Sequence, residues 1–421
     1  MTLSEELIWR GQIKDTTFSD VKWLDDVQGP KGTKTFYLGA DCNSANSLTI
    51  GNLAVYMLAR RLMKHGWKAV MLVGGATSLI GDPGGKDEER ALKTREEIEF
   101  NIKGIREQVS RLFSGMEYTP VDNYDWFKDI GYLEFLRDVG KNFSMTELLQ
   151  REFITARLGE GGSGISYAEF SYSLIQGYDY WYLYKNHNVI MQIGGSDQWG
   201  NMLSGVPLIR KKEAVEVHAL SMPLVINKAT GKKFGKSEDG AVWLDETKTS
   251  AFKFYQFWIN ADDEGVEDYL KIYTELDKGR LEDVMDEQRE SPSGRIAQKT
   301  LAREVTALHH GTEKAEAVEH VSEVLFGGIG YDKLTSKEFE VLAGELPVVE
   351  AHENTELTDL LVSAGLASSK TEARRFLADS AVYINGSQFS ATKTTIEKDD
   401  LLHGYVVLRR GKNATALIKV M

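Results

Sequence analysis

Gly231-Lys232-Lys233-Phe234-Gly235-Lys236-Ser237 is the stretch on which the reading of the fold turns. It follows the short apolar run Met222–Ile226 and places Lys233 and Lys236 three positions apart on a glycine-punctuated loop. Ammonium groups so close repel each other unless an anion lies between them or both face water, and a triphosphate is the commonest anion that offsets the repulsion. Gly235-Lys236-Ser237 supplies the end of a P-loop, G-x-x-x-x-G-K-[ST], but the opening glycine would fall at 230, where the chain has Thr230. The P-loop fails by one residue, so the chain needs a different phosphate-binding design.

Outward from that loop, strand-like apolar runs (Thr35–Leu38, Ala69–Val73, Val189–Ile193) alternate with helical ones (Leu53–His65, Thr94–Phe113, Tyr132–Asn142) from about Thr35 to Val242. The alternation predicts an α/β fold, a doubly wound parallel sheet with nucleotide at the carboxyl ends of its strands. Residues 1–33 are amphipathic and rich in Glu and Asp, an expected N-terminal helix with a turn at Gly29-Pro30, and complete a domain over 1–248. Helical periodicity with few turn signals from Thr249 to about Val324 predicts an all-α domain over 249–325. Residues 326–355, with Phe326-Gly-Gly-Ile-Gly330 and Pro347, read as a linker. Residues 356–421 read as a small α+β domain, with a helix at Ser369–Leu377, a hairpin-like Ala381-Val-Tyr-Ile-Asn-Gly386 and a basic strand pair around Arg409-Arg410-Gly-Lys412.

Composition narrows the classes. At 421 residues two or three domains are expected, and 42% hydrophobic with 27% charged residues is ordinary for a globular chain. The single cysteine, Cys42, excludes an internal disulfide framework and a CxxC zinc site, which suits a reducing compartment. Met1–Lys14 carries no leader pattern and no apolar run is long enough to span a membrane, so the expected location is the cytoplasm. The net charge of −13 is unevenly spread, because Glu356–Met421 holds nine Lys/Arg against seven Asp/Glu. A mildly basic tail on an acidic body suits local contact with a polyanion, although a plain solvated surface is the commoner meaning of such charge.

Three further segments bear on the lysine loop: Ser47-Leu-Thr-Ile-Gly-Asn-Leu53, Leu72-Val-Gly-Gly-Ala-Thr77 leading into Leu79-Ile-Gly-Asp-Pro83, and Met191-Gln-Ile-Gly-Gly-Ser-Asp-Gln-Trp-Gly-Asn201. In this order, with the lysine loop last, they resemble the class I aminoacyl-tRNA synthetases, in particular the bacterial-type tyrosyl-tRNA synthetases. Ser47–Asn52 matches the motif usually read HIGH, and Lys233–Ser237 the one usually read KMSKS. The resemblance spans nearly the whole chain. It departs at Thr49, where the family has histidine, and at Cys42-Asn43-Ser44, one residue longer than the family's Pro-Thr; Asn52 is a familiar variant.

The resemblance implies a tyrosine–tRNA ligase that makes tyrosyl-adenylate from L-tyrosine and ATP, then transfers it to the 3′ end of tRNA(Tyr). It also implies a homodimer and Mg²⁺ accompanying ATP, with no metal held tightly by protein ligands. In adenylate formation a carboxylate already present attacks the α-phosphate, so no general base is needed; alignment and charge neutralisation carry the step. None of the eight histidines lies in the candidate motifs, in keeping with that chemistry. By resemblance Thr49, Asn52 and Gly51 meet phosphate at a helix start, with Lys233 and Lys236 on the β- and γ-phosphates. Lys86 and Arg90, in Gly84–Arg90, would serve the leaving pyrophosphate from a second arm. Gly39, Asp41, Ser44, Gly195 and Asp197 would complete the ATP site. The ordinary alternatives are an unliganded helix N-cap at Thr49 and a charged helix start at Lys86.

Positions 172, 176 and 179 of Phe170–Asp179 fall at i, i+4 and i+7, on one helical face. By resemblance Tyr172, Gln176 and Asp82, joined by Gln198, take the substrate ammonium, and Tyr37 with Asp179 takes the phenolic hydroxyl. Asn123 is a further candidate for contacting the adenylate. A plain core stripe fits poorly, since Gln and Asp are costly to bury unpaired. The tail resembles the family's appended RNA-binding module, also found in a ribosomal protein. Lys370, Arg374, Arg375, Arg409, Arg410 and Lys412 would then contact phosphates without reading bases. Gly159-Glu-Gly-Gly-Ser-Gly164 matches GxGxxG, but helix-like Phe153–Leu158 precedes it where a strand is needed, so it reads as a loop. Two other readings remain at this point: a synthetase-derived RNA-binding protein without catalysis, and the tryptophan-specific relative.

Overall fold

The computed structural model describes residues 1–82, 92–159, 164–234, 236–237, 240–326, 328–389, 394–411 and 414–421. Lys86, Arg90 and Lys412, the side chain of Lys236, and most of the 159–164 glycine loop lie outside the described residues. The chain divides into two compact units: Met1–Thr249 with Asn260–Leu301, and Ser250–Ile259 with Ala302–Met421.

The first unit is built on a six-stranded sheet of β1 (Asp15–Thr16), β2 (Thr35–Ala40), β3 (Lys68–Val73), β4 (Tyr118–Asp122), β5 (Met191–Gly195) and β6 (His218–Met222), in the order β1-β6-β5-β2-β3-β4. All neighbours are parallel except the β1–β6 pair. The central strands are continuous apolar runs, Ala69–Val73 being buried at every position, as expected where helices cover both faces. β2 pairs with β3 on one side and β5 on the other, so chain order reverses beside it. In an open parallel sheet that reversal opens a crevice at the carboxyl ends.

The expected strands and helices are present, with helices Ile50–Lys64, Arg95–Leu112 and Tyr132–Asp138 close to their sequence bounds. The N-terminal region differs: after helix Leu3–Trp9, capped by Thr2, the chain adds β1 as an antiparallel edge. Two residues are too few to show the alternation that marks a strand. β4 also escaped the periodicity, because it lies at the sheet edge with Pro120 in it, where a missing N–H costs no ladder bond.

The segment expected as one helical domain is shared between the units. Helices Val266–Tyr273 and Lys278–Glu290 belong to the first, and Ala251–Ile259 and Thr312–Phe326 to the second. The cause is visible at the end of helix Val266–Tyr273, whose last carbonyls point at two buried guanidinium groups. Arg61 donates to the carbonyls of Lys271, Ile272 and Thr274 at 2.7–3.0 Å, and Arg10 to those of Lys271 and Leu276 at 2.7 Å. Cations at a helix C-terminus satisfy orphan carbonyls and the dipole together. That ties this helix to Ile50–Lys64 within the first unit.

The first unit also carries a short antiparallel pair, β7 (Lys236–Ser237) and β8 (Gly240–Ala241). The second unit holds a five-stranded sheet of β9 (Val348–Ala351), β10 (Val382–Ile384), β11 (Ser387–Gln388), β12 (Tyr405–Arg410) and β13 (Ala414–Val420), in the order β11-β10-β12-β13-β9. The β10–β11 turn is Asn385-Gly386, both left-handed (φ 48° and 86°), the chemistry of a tight hairpin. The stretch expected as a linker is structured. It carries helix Ser336–Glu345, with Phe339 and Leu342 buried, and β9, which pairs in parallel with β13. β9 is recruited by a strand some seventy residues later, and such a partner leaves no local pattern.

Candidate active site

At the carboxyl ends of β2 and β5 lies a cleft of about 490 Å³, wholly within the first unit. Its closed inner end is made by β2 and helix Tyr167–His187. That helix is seated by a close approach: a Cβ at Gly205 would lie 2.6 Å from the Tyr180 ring. Tyr180 in turn packs on Tyr37, ring centroids 5.3 Å apart. Tyr37 is 1% exposed, and its hydroxyl has no hydrogen-bond partner among the described residues. Facing this region, Asp179 accepts from Asn123 Nδ2 at 3.1 Å and from Trp126 Nε1 at 2.9 Å. Burial pushes the Asp179 carboxyl up to about 8 in spite of those donors, and pushes the Tyr37 phenol up as well, with Asp179 adding to it.

The spacing argument for helix Tyr167–His187 holds in three dimensions: Tyr172, Gln176 and Asp179 all line the cleft. Asp82 joins them, accepting from Gln198 Nε2 at 2.7 Å and Asn201 Nδ2 at 3.3 Å. Ser173 fixes Asn201 from behind at 3.1 Å. The result is a carboxylate, two carboxamides and a phenol around one wall, a set suited to an ammonium group.

Asn123 does not line the cleft. It is fully buried, accepting from the Ala76 amide at 2.7 Å and donating to Thr77 and Asp179, so it holds Asp179 in place instead of reaching a ligand. Trp126, three residues on, does the same and was missed by sequence reasoning, since nothing in Asn123-Tyr-Asp-Trp126 points to a partner some fifty residues later. Gln192, also missed, lines the cleft with a buried Oε1 that has no partner among the described residues.

At the open end, Gly39 comes from the end of β2, Asp41, Ser44 and Thr49 from the segment after it, Gly51 and Asn52 from the start of helix Ile50–Lys64, Gly195 from the end of β5 and Asp197 from just beyond it. The longer Cys42–Ser44 run is pinned on several sides. Cys42 N donates to Ser78 Oγ at 2.9 Å, Asn43 Nδ2 to the Ser78 carbonyl at 2.8 Å, and Asn101 Nδ2 to the Cys42 carbonyl at 2.8 Å. Lys233 sits on a hairpin closed by the Phe234 N to Val225 carbonyl bond at 2.9 Å. Phe234 is buried and stacks on Tyr269 at 4.1 Å, which anchors the loop. Lys233 itself is more than half exposed, 3.4 Å from Asp197. Backbone bonds from Ile50 N to Val242 O and from Leu244 N to Leu48 O join the helix start to the extended segment after this loop.

In the second unit the basic residues converge on two aromatic rings. Arg375 and Arg410 lie 5.4 and 5.0 Å from the Phe376 ring, and Arg409 lies 3.9 Å from that of Tyr383. Lys370 pairs with Asp359 and Arg375 with Glu372, while Arg374 is exposed.

The class I tRNA synthetases (W and Y) match residues 30–327, and the C-terminal domain of tyrosine–tRNA ligases matches residues 338–418. The tyrosine–tRNA ligase of Geobacillus stearothermophilus is 42% identical over 428 residues, covering 100% of both chains. The chain belongs to the bacterial-type tyrosyl-tRNA synthetases. Tyrosine–tRNA ligase 1 of Streptococcus thermophilus is 41% identical to this synthetase over 419 residues, 98% of each. A C-terminally truncated mitochondrial tyrosyl-tRNA synthetase of Aspergillus nidulans superposes with a TM-score of 0.68 at 30% identity, covering 77% of this synthetase and 94% of that chain.

Proposed function

We propose that the chain is a tyrosine–tRNA ligase, activating L-tyrosine with ATP and passing the tyrosyl group to tRNA(Tyr). One observation carries the choice of amino acid: a buried Tyr37 hydroxyl without a partner beside the carboxyl of Asp179. A phenolic hydroxyl both donates and accepts, so it satisfies both groups at once; an indole offers a single N–H, which can pair with Tyr37 or with Asp179 but leaves the other unpaired. Tyr172, Gln176, Asp82 and Gln198 would hold the ammonium, which leaves the substrate carboxylate facing the open end.

There the nucleophile needs no base. Gly39, Gly51 and Gly195 would let the nucleotide approach backbone, while Asp41, Ser44 and Asp197 would receive the sugar and phosphates by hydrogen bonds. Lys233, with Lys236, would neutralise charge as pyrophosphate departs, and Lys86 with Arg90 would assist it. Mg²⁺ would arrive with ATP. Such an ion is held chiefly by phosphate oxygens and water.

The basic face of residues 356–421 would hold tRNA through its phosphates. A homodimer is supported by the exposed apolar side chains Tyr132, Leu133, Met145, Leu149, Leu158 and Tyr167, too many for a bare surface within one short region. The cytoplasm is the proposed location; no helix among the described residues is long and apolar enough to cross a membrane. Tyrosine-dependent ATP–pyrophosphate exchange tests the activation step. A ligase exchanges label only when tyrosine is present, whereas a synthetase-derived RNA-binding protein exchanges none.

A further inference from the structure

The family's histidine is replaced here by Thr49, and the structure gives that residue a task other than touching the nucleotide. Thr49 is the N-cap of helix Ile50–Lys64 and Asn52 its third residue. Asn52 Oδ1 accepts from the Thr49 amide at 2.9 Å and from the Thr49 hydroxyl at 2.9 Å. A backbone N–H can only donate, so the carboxamide atom beside it must be the oxygen, and the orientation of Asn52 is fixed by chemistry. Its Nδ2 is the end left over, on an exposed residue that lines the cleft. The Thr49 hydroxyl has one proton, directed at Asn52, and its remaining lone pairs would repel a phosphate oxygen.

Thr49 is itself held rigidly. Its backbone bridges to Trp243, flanked by the Ile50–Val242 and Leu48–Leu244 bonds, and its branched side chain has few rotamers. We propose that Thr49 is a positioning residue that aims the Asn52 amide nitrogen into the cleft, so that Thr49 and Asn52 together supply the donor which the family draws from its histidine. This rests on the ligase reading above. ATP phosphates would meet Nδ2 of Asn52, and Thr49 would act on them only through it.

The test is a double-mutant cycle on the full chain, read as kcat and KM for ATP and tyrosine in pyrophosphate exchange. Thr49→Val should lower kcat by about five- to tenfold, the scale of one hydrogen bond, with KM for tyrosine unmoved. In an Asn52→Ala background the same change should matter by less than about twofold, and Thr49→Ser should recover the kcat lost in Thr49→Val. Equal effects of Thr49→Val with and without Asn52 would overturn the proposal, since Thr49 would then touch the nucleotide itself. A Thr49→Val enzyme with unchanged kcat, or one whose loss tracks a fall in melting temperature, would also overturn it. Absence of exchange in the unaltered chain removes the ligase reading and this proposal together, whereas exchange with additive variants removes the proposal alone.

Discussion

Replacing Tyr37 by phenylalanine should move stability and specificity in opposite directions. The residue is 1% exposed, its ring is packed on Tyr180, and its hydroxyl has no partner among the described residues. A buried, unsatisfied hydroxyl costs about 1–3 kcal/mol, so deleting it without disturbing the ring should leave the fold as stable or more so. With tyrosine bound, the same hydroxyl gains its partner, and its loss should cost about 1–2 kcal/mol of discrimination against phenylalanine. That is about 5- to 30-fold in the ratio of kcat/KM values. The logic of rejecting phenylalanine through unpaired polar groups is a general one for which tyrosyl-tRNA synthetase is itself the standard illustration, so only the assignment to Tyr37 and Asp179 is new here. The assays are pyrophosphate exchange with each amino acid and calorimetric melting of the free protein. An unchanged ratio would place the phenol elsewhere; a large loss of stability would mean that the hydroxyl is bonded within the fold.

Lys233→Ala should slow adenylate formation by roughly 10²-fold, the scale of one preorganised contact to developing charge. Its exposed pair with Asp197 contributes at most about 1 kcal/mol, so melting should hardly shift, and unimpaired single-turnover activation would remove the loop from the reaction. Burial raises the Asp179 carboxyl to about 8, so the folded chain holds that proton more tightly than the unfolded one. Its contribution to stability should fall as pH rises from about 4 to about 8, and Asp179→Asn should abolish that slope; parallel melting curves across the window would contradict the assignment. Replacing Arg375 and Arg410 together by alanine should reduce the slope of log K for tRNA against log salt by about one to two, and an unaltered slope would show that face to be plain surface.

What was legible in the sequence was local. Tyr172, Gln176 and Asp179 share a face because a helix repeats every 3.6 residues, and the glycines at the ends of β2 and β5 and at the start of helix Ile50–Lys64 betray a backbone that must be approached closely. What escaped depends on residues far apart. Nothing near Asn123 or Trp126 signals that both donate to Asp179, some fifty residues later. Only the fold reveals that β9 finds its partner in β13, or that Arg10 and Arg61 cap helix Val266–Tyr273. Thr49 was read as a phosphate contact by matching position to position; only the fold shows that its hydroxyl also donates to Asn52.

Charging of tRNA(Tyr) by the full chain, with ATP and either tyrosine or tryptophan at equal concentration, tests the function most directly. The Tyr37–Asp179 pocket predicts that tyrosine alone becomes esterified to the 3′ end, because only a phenol satisfies both groups. Tryptophanyl-tRNA as the main product, or no charging at all by an enzyme that melts cooperatively, would contradict it.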